Sequence, residues 1–163
     1  MSSSDRRLFL LSGLAVLAGC GFAPVYAPGG GGDALMGQVR VAAPDSRAGF
    51  VLTREIETRL GRTGAPRYEL RPVITLRDED IAIDRSNVAA RANLIGRVRY
   101  TLTDLETEAV VDRGEVTNFT GYSTFGTPVA TQAAERDAEV RLMQMLADQM
   151  LTRLAVAASD LPR

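Results

Sequence analysis

The chain has 163 residues with 19 basic and 20 acidic side chains, a net charge of −1, no histidine, no tryptophan and a single cysteine. Near-neutral charge removes the broad basic field by which nucleic-acid binders hold phosphate backbones, so no nucleic acid is expected as a partner. Without histidine, and with its one thiol committed as described next, the chain lacks the usual general base, sulfur nucleophile and transition-metal ligand sets, so no catalytic residue, metal or cofactor is expected.

Arg6 and Arg7 precede an apolar run from Leu8 to Ala18, the charged start and short hydrophobic stretch of a secretory signal peptide, too short to span a bilayer as a stable helix. Leu17-Ala18-Gly19-Cys20 closes that run as a lipobox. Cleavage before Cys20 makes 1–19 a lipoprotein signal peptide. The Cys20 thiol then receives a diacylglycerol, and the freed amino group an acyl chain such as palmitate. Each buried methylene contributes about 0.8 kcal/mol and one chain alone holds only marginally, so several together give a durable anchor. Gly21 stands where many inner-membrane lipoproteins carry aspartate, which directs the expectation to the outer membrane, on its periplasmic side. Ser4-Asp5-Arg6-Arg7-Leu8-Phe9-Leu10 looks like a twin-arginine signal, but adjacent arginines also open general secretory signals, and both routes stay open.

Residues 20–36, with Gly29-Gly30-Gly31-Gly32, read as a lipidated flexible tether. The remainder, 37–163, is expected to form a single α+β domain, since roughly 144 residues after cleavage are enough for one core and too few for two.

Within that domain, Gln38 to Ala42 alternates as a short strand stopped by Pro44. Asp45 or Ser46 then caps a helix whose apolar residues Ala48, Leu52, Ile56 and Leu60 recur every four positions, ended by Gly61 and Gly64. Tyr68 to Leu76 is a strand with one apolar face, and Pro72 marks it as an edge or an irregularity. A strand, helix and strand of this size form a crossover unit with the two strands parallel. Asp78, Glu79, Asp80 and Asp84 make the densest acidic cluster; it lacks the glycine and spacing of a calcium loop and reads as a solvated hairpin end.

Ala92 to Thr103 alternates most clearly, with Ala92, Leu94, Gly96, Val98, Tyr100 and Leu102 on one face. Asp104 to Ala109 turns the chain, and Val110 to Tyr122 returns antiparallel, with a phase change between Val116 and Phe119 that suggests a bulge. Arg85, Arg91, Arg97 and Arg99 follow one another here without an acid from Arg85 to Thr103. Such a row can grip phosphorylated sugars bidentately; alternatively it covers a sheet face and pairs with Glu115 or Asp112 across the hairpin. Thr127-Pro128 opens a helix, and Val140, Met143, Leu146, Met150 and Leu154 give its apolar stripe on a run to Ala158, about 45 Å long. The methionines read as core filler. The fold expected is α+β, a mixed sheet of about four strands in β-α-β-β-β-α order with two helices packed on it, the last one long.

Cys20-Gly21-Phe22 with Pro24 and Tyr26, together with Ala133-Ala134-Glu135, Asp137-Ala138, Leu146-Ala147-Asp148-Gln149 and Arg153-Leu154 after Tyr122 and Phe125, resembles the LPS-assembly lipoprotein family LptE, or RlpB, in its alphaproteobacterial form. The resemblance spans essentially the whole chain. It implies a sheet of about four strands under two helices, no catalytic residues, and residence as a plug inside the outer-membrane β-barrel LptD of the Gram-negative cell envelope. There the chain would assist lipopolysaccharide transport, with Cys20 as the lipidation site. Basic sheet residues contact lipopolysaccharide in some members, which makes Arg91, Arg97 and Arg99 the candidate ligand-binding residues, although no motif aligns them. Two readings compete: a lipid-anchored ligand- or lipid-binding accessory of an envelope transport system, and an enzyme using the Asp78 to Asp84 carboxylates. A glycosidase needs two carboxylates across a deep cleft, and one acidic run does not supply it.

Overall fold

The computed structural model describes residues 31–83 and 89–160. Its elements are a short helix α1 (Gly31–Leu35), β1 (Val39–Val41), α2 (Arg47–Leu60), β2 (Tyr68–Ile83), β3 (Ala89–Asp104), β4 (Val110–Ser123), α3 (Pro128–Ala157) and a closing 3-10 turn (Ala158–Asp160). The four strands form one sheet in the order β1-β2-β3-β4. β1 runs parallel to β2, with Val39 beside Tyr68, and the other neighbours are antiparallel.

Local chemistry accounts for the boundaries. The Ser46 side chain accepts the Gly49 N–H at 3.1 Å and starts α2, satisfying one of the donors a helix start leaves orphaned. Gly61 ends α2 at φ +78°, a left-handed conformation that glycine tolerates, and its N–H still reaches the Glu57 carbonyl at 2.9 Å. Thr127 caps α3 by accepting from Ala130 N–H at 3.3 Å, and Pro128 fills the first turn, where no N–H is needed.

The core lies between one face of the sheet and the helices: α2 and α3 pack on that face, and α1 packs against α3. Leu52 and Ile56 from α2, Leu70, Leu94, Val98 and Leu102 from the sheet, and Leu142, Met143, Leu146 and Met150 from α3 are buried. The buried band of α3 is wider than one stripe, taking in Ala138, Leu142, Ala147 and Leu151. The reason is that α3 packs against β3 and β4 on one side and α1 and α2 on the other. Its approach to β3 depends on Gly96: a Cβ there would lie 2.8 Å from Leu146 Cδ1 and 2.9 Å from Leu142 Cδ2.

Several details depart from the sequence expectation. Gly31–Leu35, expected within the flexible tether, is helical, and Leu35 is buried in the core, so this element serves packing rather than reach. It is a third helix beside the expected two. β2 does not stop at Leu76 but continues through the acidic run, with Asp78 opposite Leu94 and Glu79 opposite Asn93. The acidic cluster is therefore not the hairpin end, because pairing with β3 outweighs the poor strand propensity of acids. No bulge separates Val116 from Phe119, which pair in unbroken register with Val98 and Ile95. The apolar phase changes only because Phe119 is left exposed on the far face. The register shifts lie between Leu102 and Thr103, and around Asp80 to Ile83. The signal peptide, Cys20, Asp84 and Arg85 lie outside the described residues.

Candidate functional site

Because side chains alternate along a strand, the same alternation that sends Leu94, Val98 and Leu102 into the core sends their neighbours to the opposite face, which no helix among the described residues covers. The register aligns that open face in rows. Arg71, Thr101 and Arg113 form one; Val73, Arg99 and Glu115 the next; then Thr75, Arg97 and Thr117; then Arg77, Ile95 and Phe119; with Arg91 beside Ser123 near the far end. Arg91, Arg97 and Arg99 therefore share one face of β3, as the alternation predicts, and the structure adds Arg71, Arg77 and Arg113 around them. These three were legible singly as polar positions of their own strands, but only the pairing register puts them beside β3.

The arginines differ in how they are held. Arg97 Nε stands 3.6 Å from Glu115 Oε1, so one of the two expected cross-hairpin partners is found. Arg71 donates to Glu69 at 2.9 Å, and Arg40 donates to the other oxygen of the same carboxylate at 2.9 Å. The Arg40 hydrogen bond leads in holding the Glu69 carboxyl below its ordinary range, against the opposing effect of burial, with Arg71 adding to it. Arg77 lies 3.7 Å from Glu79. Among the described residues no carboxylate pairs with Arg91, Arg99 or Arg113. Exposed apolar side chains are interleaved with these charges, with Val73 53% and Phe119 60% exposed. A face that mixes paired and unpaired guanidiniums with apolar patches suits a ligand that is anionic at one end and apolar at the other.

The second expected partner, Asp112, is on the helix side, where it accepts a hydrogen bond from Tyr100 Oη at 3.2 Å. Burial, and then the Asp112 charge, push the Tyr100 phenol up to about 12. Gly114 sits beneath this pair, since a Cβ there would meet Tyr100 Oη at 2.6 Å. Asp78 of the acidic run plays a similar structural part, accepting from Tyr122 Oη at 2.9 Å across β3. Burial first and this carboxylate second raise Tyr122 to about 12. Among the described residues no group of three or more acids is placed to hold a metal ion.

A cleft of about 710 Å³ opens where β1 stops, lined by Pro44, Gly49, Thr53, Arg71 and Ile74. Another, of about 580 Å³, lies at the far end of β4, lined by Arg91, Asn93, Gly121, Tyr122, Asp137 and Arg141 among others. The second cleft holds the ion pair of Asp137 with Arg141.

Residues 36–154 match the family described as LptE, lipopolysaccharide-assembly. The chain belongs to the LptE family. Members are non-enzymatic lipopolysaccharide-assembly lipoproteins associated with the cell envelope, and the family works in lipopolysaccharide transport with LptD. No curated protein sequence matches the chain. Its fold is similar to that of a putative lipoprotein from Caulobacter crescentus, with TM-score 0.67 and 22% identity over 80% of this chain and 98% of that one. It is also similar to rare lipoprotein B from Shewanella oneidensis, with TM-score 0.57 and 13% identity over 73% and 92% of the two chains. Lipoprotein B from Nitrosomonas europaea has TM-score 0.53 and 17% identity over 77% and 86%. These likenesses are of fold. Among the described residues no helix is long and apolar enough to cross a membrane.

Proposed function

We propose that this LptE-family chain is an outer-membrane lipoprotein that plugs and supports an LptD-like β-barrel and assists lipopolysaccharide assembly. The observation that carries this reading is the open sheet face, polar and arginine-rich, lying back to back with a core that the helices close on the other side. The lumen of a large outer-membrane barrel is polar, and a surface of this kind can line it without burying unpaired charge.

The shape supports the same reading. α1, the end of α2 at Leu60 and the turn after Asp104 gather at one pole, where Gly37 N–H meets the Leu60 carbonyl at 2.6 Å and Leu105 N–H meets the Arg67 carbonyl at 2.8 Å. A strand the length of β3 carries the opposite pole about 50 Å away, slightly more than the roughly 40–45 Å of a bilayer with its headgroups. Acyl chains on Cys20, joined through residues before α1, would hold the first pole at the inner leaflet while the domain reaches through the barrel. Arg91, Arg97 and Arg99 would then meet lipopolysaccharide phosphates, competing with the divalent cations that bridge them. Arginine's fork suits that contact better than a point charge does. The chain acts without catalysis or cofactor.

The test is affinity purification of the full-length lipidated protein from detergent-solubilised outer membranes. A large β-barrel recovered at near one-to-one ratio supports the plug. Recovery of the chain alone, or with inner-membrane transporter subunits, removes it in favour of an accessory that binds its ligand in a pocket. Replacing Cys20 with serine should abolish palmitate labelling.

A further inference from the structure

The two edges of the sheet are finished differently. On the β2 side, β1 covers Tyr68 to Leu70. The hydrogen bonds of Tyr68 N–H to Gln38 and of Ala42 N–H to Leu70 show that even-numbered residues of β2 turn their main-chain groups to this edge. Pro72, next in that series, has no N–H to expose, and Arg77, Asp78, Glu79 and Asp80 charge the rest. Proline and charge are common ways of blunting a strand edge.

The distal half of β4 has neither. Val116-Thr117-Asn118-Phe119-Thr120-Gly121-Tyr122-Ser123 carries no charge and no proline, and its register with β3 is unbroken from Val116 opposite Val98 to Ser123 opposite Arg91. Val116, on the even side of the alternation, points into the core, whereas Thr117, Phe119, Gly121 and Ser123 are exposed and turn their N–H and C=O groups to the free edge. Two side chains occupy these outward groups. Phe119 N–H donates to Asn118 Oδ1 at 2.9 Å, and the Gly121 carbonyl accepts from Arg141 Nη2 at 3.4 Å. Beside them runs the 580 Å³ cleft, with Gly121, Tyr122 and Ser123 on one wall and Ala134, Asp137 and Arg141 of α3 on the other.

We propose that the β4 edge from Thr117 to Ser123 takes up an extended, uncharged segment of the barrel partner by main-chain strand addition. This rests on the plug reading, and it goes beyond that reading by assigning the edge and the bonding. The occupant's chemistry follows from the edge. Its backbone replaces the Asn118 and Arg141 side chains as hydrogen-bond partner, and an apolar side chain lies beside Phe119, extending the row of Arg77, Ile95 and Phe119. The arginine face and the β4 edge are continuous, so a partner that encloses one meets the other.

Residue-resolved amide hydrogen exchange on the lipidated full chain, alone and in complex with its barrel, tests the proposal. The amides of Thr117, Phe119, Gly121 and Ser123 should exchange at least about tenfold more slowly in the complex, while those of Ile74 and Leu76 on the blunted edge keep their rates. A complex in which the β4 amides exchange as fast as in the free chain overturns strand addition and leaves the plug standing. Failure to form any complex removes the plug reading, and the proposal with it. Protection that grows with concentration in the isolated chain, together with a dimer mass, would assign the edge to a second copy and overturn the barrel as occupant. Thr117→Pro deletes an outward N–H that no β3 group uses, and should weaken the complex roughly tenfold. Thr117→Val, which keeps the N–H, should bind as the parent does. Should the proline variant fail to fold, the exchange pattern of the parent decides alone.

Discussion

The two faces of the sheet are made from the same three long strands, yet they follow different rules. Toward the helices, β3 presents Ala92, Leu94, Gly96, Val98, Tyr100 and Leu102, every one buried or nearly so; away from them it presents Arg91, Arg97 and Arg99, every one exposed. One face is selected by volume, since interiors are close-packed and feel a single methylene. The other is selected by charge and tolerates changes of shape. The packed core and the charged face are thereby separated by one residue of alternation, and each face can be altered with little cost to the other.

The largest effects should come from the packed face. Leu146→Ala empties the contact between α3 and Gly96 and should lower unfolding free energy by about 2–5 kcal/mol, read by urea denaturation. The reverse error is smaller. Gly96→Ala places a methyl 2.8 Å from Leu146 Cδ1 and 2.9 Å from Leu142 Cδ2. It should cost about 1–3 kcal/mol, because the two leucine ends must shift and α3 must lift slightly. Combining the two substitutions should cost less than their sum, as residues in contact couple. Additive losses would mean that α3 does not rest on Gly96.

Asp104 is the exception that sharpens the comparison, a charged side chain 5% exposed at the end of the packed face. Its carboxylate accepts from Glu106 N–H at 2.9 Å and Thr107 N–H at 3.1 Å, and lies 3.5 Å from Arg67 Nε. The Thr107 and Glu106 amides, then the Arg67 guanidinium, hold it below its ordinary range despite burial. A folded-state value below the unfolded one contributes stability that is complete above the ordinary carboxylate range and is lost as pH falls through the folded value. Asp104→Asn should therefore be less stable than the parent at neutral pH, and the gap should narrow as pH falls through and below the ordinary carboxylate range. Melting curves across that range check it; a gap that widens in acid would show that the charge is not what Asp104 contributes.

Much of this was legible in the sequence, for identifiable reasons. The i, i+2 pattern of β3 and the cap and proline before α3 are local signals, and they place the core of that strand and the start of that helix. The coplanarity of Arg91, Arg97 and Arg99 follows from the same alternation. What stayed hidden depends on partners distant in sequence. Arg71 and Arg113 join the site only through their rows with Thr101, and the tether's last residues form α1 because Leu35 finds the α3 end. The acidic run stays extended because β3 lies opposite, and Asp112 is drawn to Tyr100 rather than to an arginine. Phe119 reads as a break in phase only if its face is assumed to be closed.

The smallest effect on folding, and the most informative about function, is expected from the open face. Arg97→Glu breaks an exposed contact with Glu115 at 3.6 Å, and surface pairs of this kind contribute about 0–1 kcal/mol. Arg99→Glu breaks no ion pair among the described residues. Both variants should melt within a few degrees of the parent, since a loss under about 1 kcal/mol shifts the midpoint only that far in a domain of this size. If lipopolysaccharide phosphates rest on this face, each reversal replaces attraction by repulsion, and binding measured with purified lipopolysaccharide should weaken for both, more for Arg99, whose guanidinium no acid holds. Added salt should shrink the difference, because exposed charges are screened. Asp112→Asn offers the matched control: its carboxylate is on the helix side, so it should perturb Tyr100 and leave lipopolysaccharide binding unchanged. Unaltered binding by both arginine variants would remove the arginine face from lipopolysaccharide recognition and leave it the simpler role of matching a wet lumen wall.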